Sequence, residues 1–87
     1  MCRIIRYYDR NDELYVDEVR LPEIPLNQLQ DAFHVSNENP MYDSFPIQGE
    51  QAIFLKQFLK IDFDFDRFDY FLEFDASHPE RDRIKNS

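Results

Sequence analysis

The chain has 87 residues, of which 43% are hydrophobic and 32% charged, a composition typical of one small globular domain rather than of a disordered segment. Ten Lys and Arg stand against eighteen Asp and Glu, and the net charge of −8 argues against binding to nucleic acid or to an anionic membrane. The single cysteine, Cys2, excludes an internal disulfide, and no apolar run reaches the roughly 18 residues of a membrane span, so we expect a cytoplasmic protein.

A β-hairpin is predicted at the beginning of the chain. Residues 3–9 are rich in Ile and Tyr, residues 10–13 form a polar turn, and residues 14–21 are strand-like again. Apolar residues lie on both sides of the second strand, so the pattern leaves its register open.

Two short helices are predicted next. After Pro22 and Pro25, a stripe at helical spacing predicts that the first helix faces the core through Leu26, Leu29, Ala32 and Phe33. Its outer side would carry Asn27, Gln28, Gln30 and Asp31. An ordered loop is predicted over residues 35–46. The second helix is predicted over residues 48–60, with Ile53 outside an apolar arc of Ala52, Phe54, Leu55, Phe58 and Leu59.

The last predicted element is a strand in which aromatic and acidic residues alternate. Residues 62–76 read DFDFDRFDYFLEFDA, and a period of two is typical of a half-buried strand, with 62–66 as the turn leading into it. One face would carry Phe68, Tyr70, Leu72 and Phe74. The other face would carry Asp69, Phe71, Glu73 and Asp75.

These elements predict an α+β fold. A three-stranded antiparallel sheet would pack against two helices in the chain order ββααβ. The single domain would span residues 1–76, and the polar residues 77–87 would form a frayed C-terminal tail.

The most specific motif is a set of carboxylates at calcium-binding spacing. Asp62, Asp64, Asp66 and Glu73 match positions 1, 3, 5 and 12 of an EF-hand loop. Arg67 stands where that loop requires glycine, and the following residues read as a strand instead of a helix. The alternative to a cation site is a solvated acidic edge beside buried aromatic residues.

Other motifs of catalysis or nucleotide binding are missing from the sequence. Cys2 has no CxxC partner, His34 and His78 have no metal-binding spacing, and the only glycine, Gly49, cannot form a glycine-rich phosphate loop. Close carboxylate pairs arise by chance among eighteen acidic residues. We therefore expect no enzymatic activity and no cofactor.

Aromatic residues are unusually frequent, with nine Phe and five Tyr in 87 residues. Tyrosine suits a binding surface, and the candidates are Tyr7, Tyr8, Tyr15 and Tyr42. Together with the acidic residues they predict a face that binds a basic protein. The residues assigned to this face are Tyr15, Tyr42, Asp43, Asp62, Asp64, Asp66, Asp69, Glu73 and Asp75. The alternative is that a domain without tryptophan fills its core with Phe and Tyr.

Three segments, NPMYDSFPI, QAIFLKQFL and FDFDRFDYFLEFDA, resemble recurring segments of a family of small bacterial proteins known only as a domain of unknown function. The resemblance covers about residues 3–76 and implies a bacterial origin, but it supplies no active residues. Small acidic proteins of this type are often immunity partners encoded beside toxins, which is an analogy of size and charge.

Three functions are considered, in order of preference. The first is an immunity or inhibitor protein that neutralises a basic toxin, such as a nuclease, by protein contact. The second is a general protein-interaction or structural module. The third is a calcium-binding or small metal-dependent protein. The net charge of −8 would accelerate encounter with a basic partner, which favours the first.

Overall fold

The computed structural model describes residues 2–75, so the domain end predicted at residue 76 and the tail predicted at 77–87 lie outside the described residues. Its elements are β1 (Cys2–Asp9), β2 (Tyr15–Arg20), α1 (Leu26–Phe33), β3 (Phe45–Pro46), α2 (Gly49–Leu55) and β4 (Phe68–Asp75). Within residues 2–75, no helix combines the length and apolar character that crossing a bilayer requires.

The sheet is antiparallel with the strand order β2-β1-β4-β3. β1 pairs with β4 along its whole length, from Cys2 opposite Asp75 to Asp9 opposite Phe68. β1 and β2 form the predicted hairpin, with a register shift between Tyr7 and Tyr8. The α+β class, the hairpin and both helices are confirmed.

The number of strands differs from the prediction. Residues 2–75 contain four strands in the order ββαβαβ, so the three-stranded sheet and the order ββααβ are corrected. The additional strand is β3, in which Phe45 pairs with Leu72 and Pro46 with Phe71. Two residues are too few to show an alternating pattern. Proline cannot donate to a β-ladder but is tolerated at the edge of a sheet, which is where Pro46 lies.

The core lies on the side of the sheet that the helices cover. Register places Ile5, Leu72 and Phe45 side by side on this face. The helices contribute Leu29, Phe33, Ala52 and Leu55, and the loop between them contributes Met41. Ile53 is 71% exposed, as its place outside the apolar arc predicts.

Gln30 was predicted on the outer side of α1, but the structure buries it. It is only 4% exposed, and its Nε2 donates hydrogen bonds to the carbonyls of Asn37 and Asn39 at 3.2 and 2.8 Å. A buried amide is tolerated when its polar atoms are bonded. Gln30 therefore holds the loop after α1 against the helix, a role that depends on residues outside the helical stripe.

α2 is shorter than the predicted range of 48–60. It ends at Leu55, and a turn follows at 56–58 in which the Phe58 N–H donates to the Leu55 carbonyl at 3.0 Å. Such i→i−3 bonds are typical of a tightened helix end. Phe58 and Leu59 still pack against the core, so the apolar arc is confirmed although its last turn is not α-helical.

His34 ends α1 in the left-handed region, with φ of 58°. A non-glycine residue there costs about 1 kcal/mol, and its exposed ring contacts the Glu50 carboxylate at 2.8 Å. We expect His34→Gly to raise the free energy of unfolding by about 0.5 kcal/mol in a urea titration, because backbone relief exceeds the loss of an exposed contact. His34→Ala keeps the strain and loses only the contact, so it should not stabilise. Equal effects of the two variants would contradict this account.

Candidate protein-binding surface

The side of the sheet opposite the helices, termed the outer face, carries charged and aromatic residues together with the buried Ile4. At its centre Arg6 Nη1 donates to Glu73 Oε1 at 2.6 Å, and Arg6 Nε and Nη2 donate to Glu18 Oε1 at 3.2 and 3.1 Å. Burial lowers the pKa of Arg6, but the carboxylates of Glu73 and Glu18 outweigh it, so the pKa is raised. This network joins β2, β1 and β4.

Three aromatic residues of the outer face, Tyr8, Tyr15 and Phe71, form a cluster that we term the outer aromatic cluster. The Tyr8 ring meets the Tyr15 ring at 6.2 Å and the Phe71 ring at 5.9 Å between centroids, both edge to face. Tyr15 is 54% exposed and its hydroxyl lies 3.3 Å from Glu18 Oε1. Partial desolvation, then the Glu18 carboxylate, raise the pKa of Tyr15. The structure brings the candidates Tyr8 and Tyr15 together and adds Phe71 to the predicted surface.

The hairpin turn and the loop before β4 meet at one end of the sheet. The Arg10 N–H donates to the Arg67 carbonyl at 2.9 Å, and Arg10 Nη1 donates to the Phe65 carbonyl at 2.7 Å. Arg10 Nε also lies 3.5 Å from Asp69 Oδ1. These bonds bring the acidic residues of both segments to the same end of the molecule. We term this region the acidic end; its carboxylates are Asp9, Asp12, Glu13, Asp64, Asp66 and Asp69.

Aromatic side chains anchor the loop that carries three of the predicted carboxylates. The rings of Phe63 and Phe65 stack at 5.6 Å and meet Tyr70 edge to face at 4.8 and 5.5 Å. The Asp64 N–H donates to the Tyr70 hydroxyl at 3.0 Å. Residues 62–66 precede β4, as predicted, with Asp62 and Asp66 exposed and Asp64 half-buried. The alternation therefore packs the two phenylalanine rings against Tyr70 and leaves Asp62 and Asp66 exposed.

Tyr42 and Asp43 lie away from the acidic end. The exposed Tyr42 ring packs at 4.6 Å against Phe74, and the Arg3 guanidinium lies 4.9 Å from the centre of the Phe74 ring. Arg3 also donates to the carbonyls of Met41 and Pro40 at 2.7 and 3.1 Å. Burial lowers the pKa of Arg3, and Tyr42 partly offsets this. Phe74 is about 17 Å along β4 from Asp69 of the acidic end, since a strand rises about 3.3 Å per residue.

The remaining candidates divide between these regions. Tyr15 and Glu73 lie on the outer face, and Asp75 ends β4 far from the acidic end. Tyr7 is a correction, because its ring packs on the helix side of the sheet, 5.2 Å from Phe68 and 5.0 Å from Tyr70. Alternation along β1 puts Tyr7 and Tyr8 on opposite faces, which their sequence positions imply once the strand is known.

The calcium-like spacing does not produce a cation site in the described part of the chain. Residues 2–75 contain no group of three or more His, Cys, Asp or Glu residues placed to hold a metal ion. Glu73, which matches the twelfth position of the loop, lies in β4 and is bonded to Arg6 and to the Ser44 hydroxyl. The geometry therefore gives the calcium hypothesis no support.

Tyr70→Phe tests the anchoring of the acidic loop. Tyr70 is 4% exposed and its hydroxyl accepts the Asp64 N–H, so removing it leaves a donor without its partner at a cost of about 1–2 kcal/mol. Burial, as the largest cause, raises the pKa of Tyr70 above its ordinary value. The contribution of the protonated Tyr70 hydroxyl to the free energy of unfolding is thus complete below about pH 10, and it is lost as the pH rises through the raised pKa of Tyr70. Urea titrations should show a smaller alkaline loss in Tyr70→Phe than in the parent protein; equal losses would contradict this.

The comparisons with known proteins give one match. A family described as "Domain of unknown function (DUF7683)" matches residues 2–73. This range contains the outer face and the acidic end and stops two residues before the end of β4. No curated protein and no solved structure matches the chain.

Proposed function

The chain belongs to this family of unknown function, and we propose that it is a protein-binding domain that neutralises a basic partner, as an immunity or inhibitor protein neutralises a toxin such as a nuclease. The observation that carries the proposal is the acidic end beside the outer aromatic cluster. The region combines anchored carboxylates with the exposed ring of Tyr15 and the half-buried rings of Tyr8 and Phe71, which suits the binding of a basic protein surface.

The charge balance supports a basic partner. Residues 2–75 contain sixteen acidic and seven basic residues, a net charge of −9. Arg6 and Arg10 already contact carboxylates of the same surface. The region therefore keeps an excess of negative charge, which accelerates encounter with a basic protein and repels nucleic acid.

The rigidity of the surface supports tight binding. Phe63, Phe65 and Tyr70 hold the acidic loop in place before any partner arrives. Less conformational entropy is then lost on association than for a mobile loop. A domain of this kind would inhibit a nuclease by covering its basic active site, with no chemical step of its own.

Charge reversal at the acidic end tests the proposal. If the chain is an immunity protein, the neighbouring gene should encode a basic toxin. The protein encoded by that gene is the probe. We expect Asp64→Lys, Asp66→Lys and Asp69→Lys together to lower the association rate constant about tenfold at low salt and to weaken its salt dependence, as measured by surface plasmon resonance.

A second triple variant with the same change of net charge is the control. Glu23→Lys, Asp31→Lys and Glu38→Lys alter exposed residues that are not among the carboxylates of the acidic end, and they should slow association much less. Equal slowing by both variants would show that only net charge matters and would overturn this location of the surface. A neighbouring gene that encodes no toxin, combined with binding to another basic protein, would favour the general interaction module.

A further inference from the structure

β2 is an edge strand, and three successive hydrophobic residues are exposed around its start, one just before the strand and two within it. Leu14, Tyr15 and Val16 are 65%, 54% and 41% exposed. Exposed edge strands are the places where an extended segment of another protein adds to a sheet through backbone hydrogen bonds. The opposite edge, β3, has only two residues, one of them Pro46, so β2 is the edge better suited to such addition.

The backbone N–H of Glu18, in β2, faces away from β1. The Leu21 N–H donates to the Arg3 carbonyl at 2.9 Å. Because every second residue of an antiparallel strand directs its backbone groups to the same neighbour, Val19 and Asp17 also direct theirs toward β1. Glu18 lies between these residues and therefore directs its N–H away from β1. That N–H donates to Oδ1 of Asp17 at 2.8 Å. The Asp17 carboxylate therefore caps one of the outward-facing donors that an added strand would use.

The charge of this edge selects among possible occupants. From the hairpin turn to the end of β2, residues 11–20 contain four acidic residues, Asp12, Glu13, Asp17 and Glu18, against one basic residue, Arg20. A second copy of the chain would bring another net charge of −8 to the same edge, and like charges on neighbouring strands are destabilising. An extended segment rich in Lys or Arg has the complementary charge.

We propose that an extended basic segment of the partner adds to β2 as a further strand, and that Asp17 controls this addition. A lysine or arginine of the segment pairs with the Asp17 carboxylate and draws it from the Glu18 N–H, which then donates to a backbone carbonyl of the segment. Neutral and acidic segments leave the cap in place. The inference rests on the proposed function, because it specifies how the basic partner is held.

A matched pair of variants isolates the backbone bond. Glu18→Pro and Glu18→Gln both remove the carboxylate, but only the proline variant lacks the N–H, and proline is tolerated at an edge strand when its nitrogen faces outward. The probe is a fluorescent, acetyl-capped peptide of four Lys-Thr repeats, titrated by anisotropy at low salt against the full chain. We expect its Kd to be about tenfold weaker for Glu18→Pro than for Glu18→Gln.

Hydrogen exchange gives a second measurement that does not depend on the proline variant folding. In the parent protein, the peptide should slow exchange of the Glu18 amide, whereas a Glu-Thr repeat peptide should leave it unchanged. Equal Kd values for two folded variants, unchanged Glu18 exchange despite binding, or no binding of the basic peptide would each overturn strand addition. A different result would contradict the proposed function: an association rate that stays unchanged after charge reversal at the acidic end.

Discussion

Replacing Leu72 with alanine is expected to lower the free energy of unfolding by about 3 kcal/mol. Leu72 is 1% exposed and lies in β4, where it pairs with Ile5 on one side and Phe45 on the other. Truncation opens a cavity between two neighbouring strands and the helices above them. Small domains are stable by only about 5–15 kcal/mol, so urea denaturation followed by circular dichroism should show a large shift of the midpoint.

Ile53→Ala is the matched control for that experiment. It also shortens an aliphatic residue, but Ile53 is 71% exposed and its loss should change the stability by less than about 0.5 kcal/mol. Similar destabilisation by the two variants would contradict the division between core and surface.

Replacing Arg6 with methionine is expected to cost about 2 kcal/mol. Methionine keeps much of the aliphatic packing of the arginine stem, so the loss is that of the charge and of the bonds to Glu18 and Glu73. The three side chains are only 21–27% exposed, and two neighbouring carboxylates would remain without their shared cation. Because salt screens their repulsion, the penalty should shrink at about 1 M salt.

Two comparisons make the Arg6 result specific. Lys56→Met removes the same charge from an exposed position and should change the stability by less than about 0.5 kcal/mol. Arg6→Lys keeps the charge but cannot reproduce the planar fork between two carboxylates, so its loss should be intermediate. Equal effects of Arg6→Met and Lys56→Met in urea titrations would show that the bonds of Arg6 to Glu18 and Glu73 do not stabilise the fold.

The parts of the fold that could be predicted from sequence are those with a local period. The alternation in β4 and the apolar stripe of α1 both follow from neighbouring residues, and both are present, except that Leu26 at the start of the stripe is 38% exposed. β3 could not be predicted, because two residues carry no period and its pairing depends on β4. The burial of Gln30 depends on carbonyls of the following loop. A helical stripe contains no information about those acceptors.

The candidate surface was partly predictable for the same reason. Composition identifies Asp64, Asp66 and Asp69, but only the pairing of β1 with β4 brings the hairpin turn beside them. Tyr42 and Asp43 were grouped with them by residue type, and the packing of Tyr42 on Phe74 separates them. Residue types indicate what a surface can bind, whereas strand register determines which of those residues share it.

The pairing of β1 with β4 also has a consequence for biosynthesis. Cys2 is translated 73 residues before Asp75, the residue with which it pairs. The β1–β2 hairpin alone is at best marginally stable in water, and closing so long a stretch of chain is a slow, entropically costly step. The nascent chain therefore gains its centre, its outer face and its acidic end together, in one late event after β4 has been translated.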